Sequence, residues 1–309
     1  MNHQKWYIIA NPAAGKGNVS RTLSKIVKLL ELHQLSFILV ETKKKGDGIL
    51  LAKTGIHEGF RKILSIGGDG TNNEVINGIL EQDLVQSQNI SYSILPIGTG
   101  NDWIKTHGIP NNIEKVILML KKENTTFQDV GTISYFKNGE IKNRYFANVA
   151  GMAYDAFVVK KMENQTPLFS NKLFYLISLM RYLFQYKLQR AKIKINDFEL
   201  KGHFYTINVG ICRFAGGGME IVPHAIPNDG LLAITIAGKF SKLSVLLNTY
   251  RFYNGTIGKL SKVSTYQSKK IKVESLEKTP IPVEVDGEYL GSSPVEFGII
   301  PRAIKIIIP

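Results

Sequence analysis

The sequence predicts an α/β half followed by a mainly β half, and three observations carry that expectation. Up to about residue 130, short apolar runs alternate with helix-patterned segments across glycine-rich turns. Beyond that point, strand-like alternation takes over. A chain of 309 residues also exceeds the usual size of a single core, which favours two domains. Strands alternating with helices argue for a mostly parallel sheet covered on both faces.

The elements follow in order. Residues 5–10 (KWYIIA) form a strand that ends in the turn-like 11–17 (NPAAGKG), and Leu23, Ile26, Val27 and Leu30 then recur at helical spacing. Ser36–Glu41 reads as strand, Gly46–Gly59 as mostly helix, Lys62–Ile66 as strand, 67–70 as loop and Asn72–Leu80 as helix. A strand at Ser91–Pro96, a loop and a helix at Ile113–Lys121 complete the first half. In the second half Lys192–Leu200, Phe204–Ile211, Leu231–Ala237, Lys270–Glu274 and Pro282–Val285 read as strands. One helix, from about Asn171 to Arg190, interrupts them with Leu173, Leu176, Ile177, Met180 and Phe184 on a stripe. The final strand, Ala303–Pro309, suits either sheet, so the expected domains are 1–132, with 303–309 as a candidate completing strand, and 133–302.

Composition narrows the function. Hydrophobic residues at 44% and charged residues at 21% fit a globular chain and exclude a disordered or fibrous one. Cys212 is the only cysteine, which excludes a disulfide framework and a cysteine-rich zinc site and suits a reducing, cytoplasmic compartment. No apolar run approaches bilayer-spanning length, so a soluble or peripheral protein is expected. The net charge of +14 favours polyanionic partners. It is uneven: residues 1–132 hold 15 basic and 12 acidic side chains, and 133–309 hold 24 and 13.

Three loops carry the chemistry. In GGDGTNNEVING (67–78), glycines let amides approach phosphate oxygens, and the following helix points its positive end at the same anion. Asp69 among them would repel phosphate unless a divalent cation bridges the two, which suggests a metal–nucleotide complex. A tight turn with a capping aspartate is the alternative. Asn11–Gly17 and PIGTGND (96–102) also follow strands, where open α/β sheets bind ligands. None of the three contains GxxxxGK[ST], so this is not the ordinary P-loop, and Lys16 reads as a solvated loop lysine more readily than as a phosphate ligand.

These residues, with FQDVG (127–131), AGGGMEIVPHAIPNDGLL (215–232) and VDGE (285–288), resemble the diacylglycerol kinase catalytic-domain family, which includes bacterial lipid kinases and sphingosine and ceramide kinases. NAD kinases share GGDGT, but Asn73-Glu74-Val75 and Asn77-Gly78 are similar to the lipid-kinase version. The resemblance implies an α/β nucleotide-binding domain of NAD kinase-like fold, a C-terminal β-sandwich, and an active site in the cleft between them. Two departures are Trp103, where members often carry Phe or Leu, and Asn228, a position frequently filled by Asp.

Phosphorylation of an alcohol needs a held triphosphate, a cation to neutralise developing charge and a base for the hydroxyl. Loop physics assigns Gly15, Gly67, Gly68 and Gly70 to ATP, and the resemblance adds Asn11, Thr42, Thr71, Asn72, Asn73, Glu74 and Thr99. A first-turn carboxylate favoured by the helix dipole is the alternative for Glu74. Asp69 is expected to act through Mg²⁺, with Asp102 and Asp129 in a carboxylate and water network; a turn role competes for Asp129. Asp286-Gly287-Glu288 reads as a β-turn on its own. The resemblance makes Glu288 the general base and Asp286 its partner or a metal ligand. It likewise implies a second Mg²⁺ site from the Asp229 carboxylate and the Ile226 and Leu231 carbonyls, against a plain Asp-Gly turn. The six histidines show no ligand-spaced pair and are expected at the surface or in loops.

The expected activity is ATP-dependent, Mg²⁺-dependent phosphorylation of diacylglycerol or another long-chain lipid alcohol. A kinase of a soluble alcohol and a basic nucleic-acid-binding protein are the rivals; the second lacks a recognisable nucleic-acid module. Residues 160–194 hold Lys160, Lys161, Lys172, Arg181, Lys187, Arg190, Lys192 and Lys194 against Glu163 alone, with Phe169, Phe174, Tyr175, Tyr182, Phe184 and Tyr186 between them. That mixture suits peripheral docking on an anionic membrane, and a helix whose apolar stripe covers the sandwich is the alternative. A homodimer is the remaining partner left open.

Overall fold

The computed structural model describes residues 3–163 and 172–309. Phe169 lies outside the described residues, as do the side chains of Lys172, Leu173, Phe174, Tyr175 and Leu176. The chain forms two compact units, Met1–Asp129 with Arg302–Pro309, and Val130–Pro301.

The first unit contains β1 (Trp6–Ala10), α1 (Ala14–Leu32), β2 (Phe37–Glu41), α2 (Asp47–His57), β3 (Lys62–Gly67), α3 (Asp69–Glu81), β4 (Ser91–Pro96), α4 (Trp103–His107) and α5 (Ile113–Lys122). The apolar run of β1 is buried at every residue, as a strand covered on both faces requires. It pairs in parallel with β2 from Trp6↔Phe37 to Ala10↔Glu41, and with β3 from Trp6↔Lys62 to Ala10↔Ile66. Strand β3 continues to β4 in parallel, ending at Gly67↔Pro96. The carboxyl ends of these strands therefore share one edge, and the loops that follow begin there. Helix α5 shows how the faces are covered: Val116, Ile117 and Leu120 are buried, and Asn112 caps the first turn by accepting from Lys115 N at 3.0 Å.

The second unit continues with β5 (Thr125–Lys137), β6 (Glu140–Phe146), β7 (Val149–Ala153), α6 (Tyr154–Glu163), α7 (Lys172–Gln185), β8 (Gln189–Ile195), β9 (Phe198–Phe204) and β10 (Thr206–Gly210). A two-residue ribbon of β11 (Phe214–Ala215) and β12 (Met219–Glu220) follows, then β13 (Leu232–Ala237), α8 (Lys242–Asn248), β14 (Val263–Ser268), β15 (Ile271–Ser275), β16 (Pro282–Val285) and β17 (Glu288–Ile307). One antiparallel layer runs β14-β13-β10-β7-β16-β17, and β17 also leads through β15 to β8 and β9. The far end of β17 returns to the first unit, where Lys305 lies opposite Ser91 in parallel with β4.

Two expectations are corrected, and a third is narrowed. Lys192–Leu200 is a hairpin rather than one strand: Asn196 turns at φ 50° and Ile195 pairs with Phe198, because Asn-Asp supplies a tight turn without any glycine to announce it. Helix α6 stands where strand grammar was expected. In α7, Ile177, Met180 and Phe184 face outward, and the buried face is Ser178, Tyr182, Leu183 and Tyr186. The helix is apolar on both sides, and the described part of the stripe does not cover the sandwich, which was the alternative reading for it.

Candidate functional site

In the first unit, the three polar loops converge. Asn11 N donates to Ile66 O at 2.9 Å, and its side chain accepts from Ala13 N at 3.1 Å and donates to Thr71 Oγ1 at 3.0 Å. Gly15, Lys16 and Gly17 all have positive φ, which breaks the start of α1 into a loop as its sequence suggested. That loop lies so close to the next that a Cβ on Gly15 would sit 2.5 Å from Ile97 O. Gly68 and Gly98 approach backbone to backbone, since a Cβ on Gly98 would lie 2.5 Å from both Gly68 Cα and Asn101 Oδ1. Thr42 enters the same edge through its amide, which donates to Ala10 O at 2.9 Å. Thr99 is exposed at the tip of its loop.

Asp69 links two of these loops. Its Oδ1 accepts from Asp102 N at 2.8 Å and Trp103 N at 3.2 Å, holding the start of α4, while Trp103 Nε1 donates to Gln128 Oε1 at 2.9 Å. The second carboxylate oxygens of Asp69 and Asp102 face Gly100: a Cβ there would lie 2.9 Å from Asp69 Oδ2 and 3.3 Å from Asp102 Oδ2. Two hard oxygen donors thus flank a backbone with no side chain between them, and Lys105 pairs with Asp102 Oδ1. Such a donor set fits Mg²⁺, which is commonly held by one or two carboxylates with phosphate oxygens and water completing the shell.

Other expected ligands are engaged elsewhere. Glu74 accepts from Gly46 N at 2.8 Å and Gly48 N at 3.0 Å, so its carboxylate secures the start of α2. Asn72 is buried and accepts from the Tyr92 hydroxyl at 2.7 Å; Asn73 is buried and accepts from Asn77 Nδ2. Asp129 Oδ1 accepts from Arg302 N at 2.6 Å. Among the described residues, no three His, Cys, Asp or Glu side chains are grouped so as to hold a metal ion, and Asp69 and Asp102 are the pair the structure brings together. His107 is not a loop histidine: it packs against the Trp103 ring at 4.7 Å, and burial pushes its imidazole down to about 4.

In the second unit, Asp286 and Gly287 both have positive φ and join β16 to β17 as a two-residue hairpin turn. The Asp286 carboxylate accepts from Ala147 N, Asn148 N and Val149 N at 3.3, 3.2 and 3.0 Å, which anchors the turn. Glu288 follows, its Oε2 3.2 Å from Arg144 Nη2. Asp229 is held as a turn residue, with Oδ1 accepting from Leu231 N at 2.9 Å and Oδ2 from Gln267 Nε2 at 3.2 Å; Ile226 beside it is exposed.

A buried carboxyl pair here had no signature in the sequence. Glu284 lies over Gly151 beside Asp155 and accepts from Gly287 N at 2.9 Å. Burial holds its carboxyl well above the usual range, and Asp155 and Asp286 push the same way. Burial raises Asp155 to about 6, opposed by hydrogen bonds from Thr206 and Asn208. A carboxyl whose folded pKa is raised stays protonated where the unfolded chain would ionise, so its burial costs stability progressively as pH climbs above the ordinary carboxylate range. Glu284→Gln is therefore expected to raise Tm by a few °C at about pH 8 and to change it little at about pH 5, read by thermal melts at both.

The family described as diacylglycerol kinase catalytic domain matches residues 5–133, and that described as YegS C-terminal NAD kinase beta sandwich-like domain matches 148–308. The chain belongs to the diacylglycerol kinase family. A diacylglycerol kinase of Staphylococcus aureus (strain bovine RF122 / ET3-1) is 29% identical over 303 residues, covering 98% of this chain and 91% of the relative. Solved structures with the same fold include a diacylglycerol kinase from Bacillus anthracis str. Sterne, with a TM-score of 0.73, 22% identity and coverage of 100% and 98%. Yeast NADH kinase complexed with NADH aligns with a TM-score of 0.53 at 10% identity, covering 100% of this chain and 84% of its own. The expected NAD kinase-like first half and β-sandwich second half are the architecture of this chain. As a kinase of the diacylglycerol kinase family, it is expected to lose about a hundredfold in activity on Gly98→Ala. The added methyl would push the 67–71 and 97–101 loops apart where they meet backbone to backbone. Activity assays, with thermal melts to confirm the fold, check this.

Proposed function

We propose that this kinase transfers the γ-phosphate of ATP, in an Mg²⁺-dependent reaction, to the hydroxyl of diacylglycerol or a related long-chain lipid alcohol. The observation that carries the reading is the convergence of Asn11–Gly17, Gly67–Thr71 and Pro96–Asp102 at one strand edge, with the Asp69 and Asp102 carboxylates aimed at Gly100. The loop amides and the start of α3 would hold phosphate oxygens, and the two carboxylates would hold the cation. When bound, Mg²⁺ supplies neutralisation of the charge that develops on the transferring phosphoryl group. Asp69 has a second duty, since the amides on its Oδ1 fix the 98–102 loop in place. Glu288 is the proton acceptor in this reading, presented by a hairpin that the Asp286 carboxylate clamps.

A lipid acceptor is supported by the diacylglycerol kinase names of the relatives and by the surplus of basic side chains in 133–309. The test is transfer of labelled γ-phosphate to diacylglycerol and sphingosine in mixed micelles, with a panel of water-soluble alcohols in parallel. Labelled lipid that depends on Mg²⁺ is the expected product. Label only in the soluble alcohols would overturn the acceptor class, and no label in any acceptor, with no ATP protection, would overturn the kinase reaction.

A further inference from the structure

Helix α8 and the turn after it carry an apolar face that the sequence did not announce. Leu243, Leu247 and Tyr250 recur at i, i+4 and i+7 and are 65%, 67% and 57% exposed. On α7, Ile177 and Phe184 are 54% and 62% exposed, and Met180 joins them on the same outward side. The two helices pack against each other, and Lys242 ties them, donating to Phe184 O at 2.6 Å with its ammonium 5.4 Å from the Phe184 ring. Large side chains exposed this far on two adjoining helices make a patch rather than scattered surface residues.

The charge around the patch names its partner. Residues 239–262 contain Lys239, Lys242, Arg251, Lys259 and Lys262 and no Asp or Glu, and residues 172–194 contain six basic side chains and no acid. Cations lie over rings at this face, with Arg251 5.4 Å from the exposed Tyr250 and Lys262 5.9 Å from the half-buried Phe240. A depression of about 490 Å³ lined by Gly238–Ser241 and Lys262 adjoins α8 and places Lys239 beside it. Carboxylates on neighbouring elements are engaged inward: on α6, which packs against α7, Glu163 accepts from Tyr289 N at 3.1 Å and Asp155 pairs with Thr206, and Glu220 lies against Gly255 beyond the helix. An apolar core of leucine and aromatic side chains inside a basic field complements a surface that is apolar below and anionic above.

We propose that the paired outer faces of α7 and α8 dock the protein on the surface of an anionic phospholipid bilayer, Leu243, Leu247 and Phe184 entering the acyl boundary while Lys239, Lys242, Arg251 and Lys262 meet the headgroups. This extends the expectation made for residues 160–194 to a second helix, and it stands whichever alcohol the kinase phosphorylates. The test is co-sedimentation without nucleotide, using vesicles of phosphatidylcholine alone and of equimolar phosphatidylcholine and phosphatidylglycerol. The full chain is expected to bind the anionic vesicles and release them as salt rises. Leu243→Ser with Leu247→Ser is expected to weaken that binding at least about tenfold. Lys239→Glu with Lys262→Glu is expected to weaken it by about tenfold or more, on the anionic vesicles only. Both variants change exposed side chains and should keep the wild-type Tm and turnover on short-chain diacylglycerol dispersed as monomers.

Equal binding to neutral and anionic vesicles, or indifference of vesicle binding to both variants, would overturn the proposal. So would a concentration-dependent dimer that Leu243→Ser with Leu247→Ser converts to monomer, because the face would then belong to a second copy of the chain. Loss of kinase activity towards every alcohol would leave vesicle binding unaffected and would count against the proposed reaction alone.

Discussion

Asp69→Asn is expected to lower phosphoryl transfer at least about a thousandfold while the protein stays folded. Asn keeps an oxygen where Oδ1 accepts from the amides of Asp102 and Trp103, so the 98–102 loop should hold its course. What it removes is the charge facing Gly100 from Oδ2, half of the carboxylate pair that fits a cation. Steady-state transfer assays across an Mg²⁺ series, with melts to confirm the fold, check this. Near wild-type turnover in a folded Asp69→Asn protein would remove the metal–nucleotide reading. Asp69→Ala is a poorer probe because it also strips the acceptor from two backbone amides, and a lost loop would look like lost chemistry.

Glu288→Gln should cut kcat by roughly a hundredfold to ten-thousandfold, the range for removing a positioned general base, with Mg-ATP protection in thermal melts unchanged. The glutamine still presents an oxygen to Arg144, so the start of β17 is kept. Turnover equal to wild type would move the role to Asp286. That residue has a structural burden of its own: its carboxylate accepts from three consecutive backbone amides, and Asp286→Ala is expected to cost about 1–3 kcal/mol of stability. Comparing turnover with denaturation midpoints for both variants separates base from anchor.

Most of the α/β half was legible because its strands are short apolar runs and helices such as α5 show one clean face, whereas the five-residue α4 at Trp103–His107 is too short to show a period and was read as loop. In the second half, two features hid. Asn196-Asp197 turns a hairpin using residues that fit a strand alternation, and α7 buries one apolar face while exposing another, so no periodicity could choose between them. At the site, the glycine loops were legible as loops after strands, and the convergence of 11–17, 67–71 and 96–102 follows from parallel strands ending at one edge. Side-chain duties within those motifs were not legible. Glu74 and Asn72 sit in the nucleotide motif, yet one carboxylate secures the start of α2 and the other side chain bonds a buried tyrosine. Glu284 defeated alternation outright, because Val283, Glu284 and Val285 are all buried.

The course of β17 bears on how this protein can be taken apart. Its last residues line β4, Ser87 Oγ donates to Ala303 O at 2.6 Å, and Ile308 N donates to Asn124 O at 2.9 Å. A fragment cut near residue 130 would lack that strand and leave the main-chain groups of β4 around Ser91 and Tyr92 without that partner, an open edge that invites aggregation during expression. Supplying residues 302–309 as a separate peptide, or grafting them behind a short linker, should restore solubility to such a fragment.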